Sequence, residues 1–262
     1  LIFQKHSTRT KASFEAGMYQ LGGHSILLDN STSQMARGES PAETAKILSA
    51  YTDVIAARLF KQTDLEEMAG VSRVPIINAL TDLYHPCQIL ADLLTIREKK
   101  GGLAGLKLAY FGDGGNNVAH SLLINCSKAG LNVVIACPAQ DKYSPDSSLL
   151  AKARESAVGK IEVTSDCAAA AADADVLYTD TWISMGMEGE KQARVRDFMP
   201  FQLNASVVAK AKKDCIVMHC LPAYIDYEVT KDVLYGGHSV IYDQAENRMH
   251  AQKALLVWLL KK

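Results

Sequence analysis

Leu1-Ile2-Phe3-Gln4-Lys5-His6-Ser7-Thr8-Arg9-Thr10 leads an apolar run into hydroxyls and an arginine, just before a helix-like stretch, Ser13 to Leu21, that Gly22-Gly23 stops. A strand that feeds a helix through such residues points backbone N–H groups, O–H donors and a guanidinium at one spot, which suits a phosphate dianion. The same hydroxyls can serve as ordinary helix caps, so the tetrad Ser7-Thr8-Arg9-Thr10 gains its meaning from its company.

Short apolar runs alternate with helical patterns to the end of the chain, the signature of parallel sheets with helices on both faces. Strands are predicted at Ser25 to Leu28, Val54 to Phe60, Pro75 to Leu80, Lys107 to Phe111, Asn132 to Cys137, Asp175 to Thr179, Cys215 to Cys220 and Ser239 to Tyr242. Ser40-Pro41-Ala42-Glu43 and Thr63-Asp64-Leu65-Glu66 have capping-box spacing and mark helix starts. His85-Pro86 opens a helix that Gly101-Gly102 stops, and the strand-helix pattern restarts at Leu106. That helix reads as a connector between two lobes, residues 1–100 and 101–245, with the last helix, Asn247 to Leu260, returning to complete the first through residues 246–262. Trp258 is expected on its apolar face, and Cys167 to Ala174 reads as alanine-rich helix. The fold class is therefore α/β, two lobes each built on a parallel, Rossmann-like sheet flanked by helices.

With 262 residues, 48% hydrophobic and 22% charged, the chain can bury a large core, and a net charge of -1 with scattered Lys and Arg argues against a nucleic-acid surface. No apolar stretch is long enough for a membrane helix. The six cysteines form no C-x-x-C pair and no zinc spacing, so they read as core thiols of a reducing compartment, with Cys220 set apart. The expected location is cytoplasmic, or an organelle matrix if a preceding segment carried a transit peptide, because Leu1 lies inside a predicted strand.

Ligands of open α/β sheets bind at the C-terminal ends of the strands. The polar clusters fall there: Arg58, His85, Asn116-Asn117, Asp180, His219-Cys220-Leu221-Pro222 and Glu246-Asn247-Arg248. Each has an everyday alternative, as ion pair, cap or buried thiol; their coincidence argues for a site. Gly112-Asp113-Gly114-Gly115-Asn116-Asn117 places Asn117 where a dinucleotide fingerprint needs its third glycine. An amide there, on a helix N-terminus, suits a carboxylate better.

Phe3-x-Lys5-x-Ser7-Thr8-Arg9-Thr10, His85-Pro86-Cys87-Gln88, Asp180-x-Trp182-x-Ser184-Met185-Gly186, His219-Cys220-Leu221-Pro222 and Asp243-Gln244-Ala245-Glu246-Asn247-Arg248 together resemble the ordered motif set of the ornithine carbamoyltransferases. The resemblance spans essentially the whole chain. The aspartate branch lacks the Ser-Met-Gly loop and usually has proline in place of Cys220, which favours L-ornithine as second substrate. What the resemblance implies is transfer of the carbamoyl group of carbamoyl phosphate to the δ-amine, with Ser7, Thr8, Arg9 and Thr10 holding phosphate and Arg58 shared between phosphate and carbonyl oxygen. It also implies that Thr10, Arg58 and His85 polarise the carbonyl, while Gln88, the backbone carbonyls of Cys220 and Leu221, and Arg248 fix the carbamoyl end. Asn117, Asp180, Ser184 and Met185 would bind ornithine, and Gln34 would reach a neighbour's site in a homotrimer. No metal or other cofactor is implied. Carbamoyl phosphate would bind first, and closure between the lobes would bring the substrates together.

The attacking amine must be neutral, and with a lysine-like pKa of about 10.4 only about one molecule in a thousand is, a cost of roughly 4 kcal/mol. Cys220, with Asp180 near, is the candidate helper; its backbone carbonyl alone remains the alternative. Lys11 stands where the family usually has Arg, and a point charge cannot reproduce a bidentate fork. The family also has an N-terminal helix and strand ahead of Leu1. Two other readings stay open: a carbamoyltransferase for putrescine or acylated ornithine, and a non-catalytic relative.

Overall fold

The computed structural model describes residues 1–29, 33–183 and 188–261. It divides into two compact units, Leu1–Ala91 with Glu246–Lys262, and Asp92–Ala245. Each is an α/β unit with one parallel sheet.

The first unit runs β1 (Ile2–Phe3), α1 (Thr8–Gln20), β2 (Leu28–Asp29), α2 (Pro41–Leu48), β3 (Ile55–Arg58), α3 (Gln62–Val71), β4 (Ile76–Leu80) and the start of α4 (Pro86–Lys100). Helix α1 starts earlier than Ser13, because Ser7 caps it by accepting the Thr10 N–H; Thr8-Arg9-Thr10 thus form its first turn. The capping box at Ser40 forms, with Ser40 and Glu43 exchanging two bonds of 3.1 Å each. The box expected at Thr63 does not. Helix α3 begins at Gln62, whose backbone N–H is taken instead by the Asp82 carboxylate at 2.9 Å, so a residue distant in sequence does the capping. The strand expected at Ser25 to Leu28 is reduced to Leu28–Asp29.

The second unit runs β5 (Lys107–Phe111), α5 (Asn117–Lys128), β6 (Asn132–Ala136), α6 (Ser147–Ser156), β7 (Ile161–Thr164), α7 (Cys167–Ala171), β8 (Val176–Thr179), α8 (Lys191–Phe198), α9 (Ala205–Val208), β9 (Ile216–His219) and α10 (Lys231–Leu234); α11 (Ile241–Leu260) follows. Ser239 to Tyr242 is not a strand: one bridge joins Ser239 to Val217, and the Gln244 N–H then bonds the Val240 carbonyl at 2.9 Å as α11 winds up. Strand β7, not among the predicted strands, is a four-residue edge strand with no fully buried position and so carries no apolar run.

The sheet orders are β2-β1-β3-β4 and β7-β6-β5-β8-β9, and every pairing is parallel. In each, the order turns back on one side of the first strand, at β1/β3 and at β5/β8. Such a switch point leaves a crevice beyond the strand ends, since crossovers leave it in opposite directions. In the first unit Phe14, Ile77, Cys87 and Leu256 close one face of the sheet. Trp258, expected on an apolar face, is 73% exposed; two positions from buried Leu256 puts it on the other side of the helix. In the second unit Phe111, Leu177, Val217 and Ile241 belong to one core cluster. No helix among the described residues is long and apolar enough to cross a membrane.

Gly159 leads into β7 where the backbones come closest: a Cβ there would lie 1.9 Å from the Leu131 carbonyl oxygen. Gly159→Ala is expected to cost about 3 kcal/mol or more, read as a lowered urea midpoint, because a backbone oxygen cannot rotate away.

Candidate active site

The switch point of the first unit gathers charge. Ser7, Thr8 and Arg9 open α1 after β1, Arg58 is the last residue of β3, and His85 immediately precedes α4. Thr8 and Arg9 are exposed, whereas Thr10, Arg58, His85, Gln88 and Arg248 are buried. Arg248 ties the group together: Nη1 donates to Gln88 Oε1 at 2.9 Å, and Nη2 donates to Thr10 Oγ1 at 3.2 Å and Gln252 Oε1 at 2.9 Å. Gln252 in turn donates to Ser13 Oγ at 2.7 Å, fixing α11 against α1.

Burial pushes the His85 imidazole well below its usual range, and the guanidiniums of Arg248, Arg58 and Arg9 push it the same way. His85 is therefore neutral at physiological pH. Three cations acting on one buried neutral ring make a positive recess suited to an anion. A cavity of ≈ 430 Å³ adjoins the start of α1, lined in part by Lys5, His6, Ser7, Thr8, Lys11 and Glu15. Gln34 is exposed in the short 3-10 turn Gln34–Arg37 and is not part of the Arg248 network.

At the switch point of the second unit the character changes sign. Asp180 follows β8 and Cys220 follows the adjacent β9, and the Cys220 thiol donates to Asp180 Oδ1 at 3.0 Å. The other carboxylate oxygen takes a bond of 3.4 Å from the Asn116 amide, which also donates to the Tyr110 hydroxyl at 2.8 Å. Burial raises the Asp180 pKa, opposed chiefly by His219 and by the Cys220 hydrogen bond. Asn117 is the first residue of α5 and half-buried. Ser184 and Met185 lie outside the described residues.

Asn116 is a partner of Asp180 that no motif marks. Its neighbour drew attention as the residue at the fingerprint position, yet Asn116 is the N-cap, accepting the Ala119 N–H at 2.7 Å, and that orientation turns its NH₂ group to the carboxylate. An Asn before a helix start was the available signal. Tyr110 gave none, since its place in an apolar strand looks like core.

The loop carrying Cys220 is held from both sides. His219 Nδ1 accepts the Leu221 N–H at 2.8 Å, so the ring proton sits on Nε2, which lies 3.2 Å from Glu228 Oε1. Glu228 also accepts the Tyr224 N–H at 2.6 Å, and Gln244 Oε1 accepts the His219 N–H at 2.9 Å. These bonds hold Leu221 at a φ of 57°, a left-handed conformation uncommon for leucine. Asp180, His219 and Cys220 each offer a metal-ligating atom, all within 4.8 Å of one another. Both nitrogens of His219 are already committed, however, so the trio is a hydrogen-bonded brace in which a metal would have to displace the loop.

Comparison with known proteins gives two matching family models: "Aspartate/ornithine carbamoyltransferase, carbamoyl-P binding domain" over residues 1–98, and "Aspartate/ornithine carbamoyltransferase, Asp/Orn binding domain" over residues 104–259. The ornithine carbamoyltransferase of Oceanobacillus iheyensis is 53% identical over 263 residues, covering 99% of this chain and 81% of the relative. Among solved structures, the ornithine carbamoyltransferase from Pyrococcus furiosus matches with a TM-score of 0.93 at 50% identity, over 99% of this chain and 83% of that one. An acetylornithine transcarbamylase complexed with acetylcitrulline matches with a TM-score of 0.87 at 30% identity, over 100% of this chain and 88% of that one.

A lowered His85 pKa makes stability depend on pH with a definite sign. The unfolded imidazole takes a proton below about 6.5 that the folded one refuses, so stability is present above that value and lost as pH falls below it. Urea unfolding between about pH 7.5 and about pH 5.5 should show this loss, and His85→Asn should flatten it. An equally steep slope in the variant would contradict the neutral, buried ring.

Proposed function

The chain belongs to the aspartate/ornithine carbamoyltransferase family, and we infer that it transfers the carbamoyl group of carbamoyl phosphate to the δ-amine of L-ornithine, giving L-citrulline and phosphate. The observation that carries the choice of acceptor is the buried Asp180 carboxylate at the end of β8, held by Cys220 and Asn116. A carboxylate there pairs with an α-ammonium group and repels a dicarboxylic amino acid. Acylated ornithine and putrescine both leave it without that partner, although the likeness to an acetylornithine transcarbamylase makes the acylated substrate the one to compare directly.

In this reading the first unit is the carbamoyl-phosphate lobe. Ser7, Thr8, Arg9 and Thr10 hold the phosphate at the α1 N-terminus, Arg58 bridges phosphate and carbonyl oxygen, and Thr10, His85, Gln88 and Arg248 fix the carbamoyl end. The second unit is the ornithine lobe, with Asn117, Asp180, Ser184 and Met185 holding the zwitterionic head and the Cys220 and Leu221 carbonyls facing the carbamoyl nitrogen. Gln34 serves a neighbouring subunit of a homotrimer, and the protein works in the cytoplasm or an organelle matrix.

The chemistry follows from these roles. The neutral δ-nitrogen forms a bond to the carbonyl carbon, charge accumulates on the carbonyl oxygen, and the C–O bond to phosphate then breaks as the nitrogen gives up a proton, which the departing phosphate can carry away. Arg58, Thr10 and the neutral His85 are donors for that oxygen, and Arg9 with Arg58 stabilises the departing phosphate. His85 can do this without adding a positive charge that would bind the ground-state dianion equally well. The Cys220 thiol directs its own proton at Asp180, so its sulfur can take a proton from the amine as the thiol proton passes to that carboxylate.

Three measurements test the assignment. A colorimetric citrulline assay should give product with L-ornithine and far less with putrescine or N-acetylornithine; an acetylated preference would reverse the reading of Asp180. Arg58→Gly should lower kcat by about 10²-fold or more with the circular dichroism spectrum unchanged. Cys220→Ser should lower turnover and displace its pH profile while carbamoyl phosphate still binds; an undisplaced profile would leave only the backbone role.

A further inference from the structure

We propose that Arg194 is a positioning residue for ornithine: its guanidinium, paired with Asp113 and bonded to the Trp182 carbonyl, joins the segment after β5 to the segment after β8 and thereby sets the geometry of the groups that hold the second substrate. This rests on the reading that Asp180 and Asn117 bind ornithine, and it assigns a role to a residue that none of the motifs contains.

Arg194 lies in α8, yet its side chain is buried against the strand ends of its own unit. Nη2 pairs with the Asp113 carboxylate, which is buried as well. Nε donates to the Trp182 carbonyl at 2.5 Å. The guanidinium is gripped by aromatic faces, 5.2 Å from the Tyr143 centroid and 5.1 Å from that of Phe198, and Trp182 stacks on Phe198 at 5.9 Å.

Each partner leads directly to a residue assigned to substrate. The second oxygen of Asp113 accepts the Gly115 N–H at 2.9 Å, shaping the turn that delivers Asn116 and Asn117. Trp182 follows Asp180 by two residues, so fixing its carbonyl fixes the chain that presents the carboxylate. The two loops also meet closely: a Cβ on Gly112 would lie 3.4 Å from the Trp182 ring. One planar fork thus reaches both loops at once, through separate donors. A lysine has a single nitrogen and cannot reproduce that fork. A buried ion pair is a poor source of net stability, so its value here is in the geometry it enforces.

The test is steady-state kinetics of Arg194→Lys in the full protein, with L-norvaline, which has the same zwitterionic head without the attacking nitrogen, as inhibitor. The ornithine KM and the norvaline inhibition constant should both rise about tenfold while the carbamoyl phosphate KM stays within about twofold. An ornithine KM within about twofold of wild type, with only kcat or the melting temperature lowered, would overturn the proposal in favour of a merely structural pair. If Arg194→Lys does not fold, Asp113→Asn keeps an acceptor of the same shape; it should raise the ornithine KM about threefold, and an unchanged KM overturns the proposal equally. Asp180→Asn separates the two readings. If it leaves ornithine KM unchanged, the ornithine site itself is misassigned; if it raises KM and the Arg194 and Asp113 variants do not, the positioning role alone fails.

Discussion

Everything chemical in this molecule depends on where two parallel sheets reverse their order. In the first the reversal falls between β1 and β3, and in the second between β5 and β8. Crossovers on the two sides of such a point depart in opposite directions, and the strand ends there stay open to ligands. Thr8-Arg9-Thr10 and Arg58 stand at the first opening, Asn116 and Asp180 at the second. The fold thus determines which residues can meet before any side chain has been chosen.

The choice of side chains gives the two openings opposite electrostatic character. Three guanidiniums act on a buried neutral imidazole in the first unit, which matches an anionic reagent that carries its own transferable group. The second unit presents a buried carboxylate whose pKa is raised by desolvation and restrained by a thiol and an imidazole. Both openings are braced from behind, by the Arg248 network in one and by the His219–Glu228 pair in the other, so their donors are oriented before a ligand arrives.

Features written locally were legible in the sequence, and features that depend on distant residues were not. Lys107 to Phe111 is a strand to the residue, and Ser40 with Glu43 makes the expected capping box, because apolar runs and caps act within a few positions. Thr63 failed as a cap because Asp82, on a loop after β4, supplies the acceptor for α3. Ser239 to Tyr242 failed because β-branched and aromatic residues can equally begin a helix once a single bridge has been made. Motif order singled out Asp180, Cys220, His85 and Arg248, and the structure shows Cys220 bonded to Asp180 and Arg248 bonded to Thr10 and Gln88. The pairing of Asn116 with Asp180 and that of Arg194 with Asp113 stayed hidden because they span 64 and 81 residues, which no window on the chain displays, and Tyr110 was hidden by its place in an apolar strand.

The uncharged state of His85 has a consequence for economy of recognition. If the ring were an imidazolium, the recess would hold any doubly charged oxyanion still more firmly, and leaving group and reagent alike would linger. With the ring neutral that surplus attraction is absent, and His85 can favour the amide end of the reagent without tightening the grip on both. On the proposed assignment, the spent half of the reagent would retain the general attraction and forfeit the particular one.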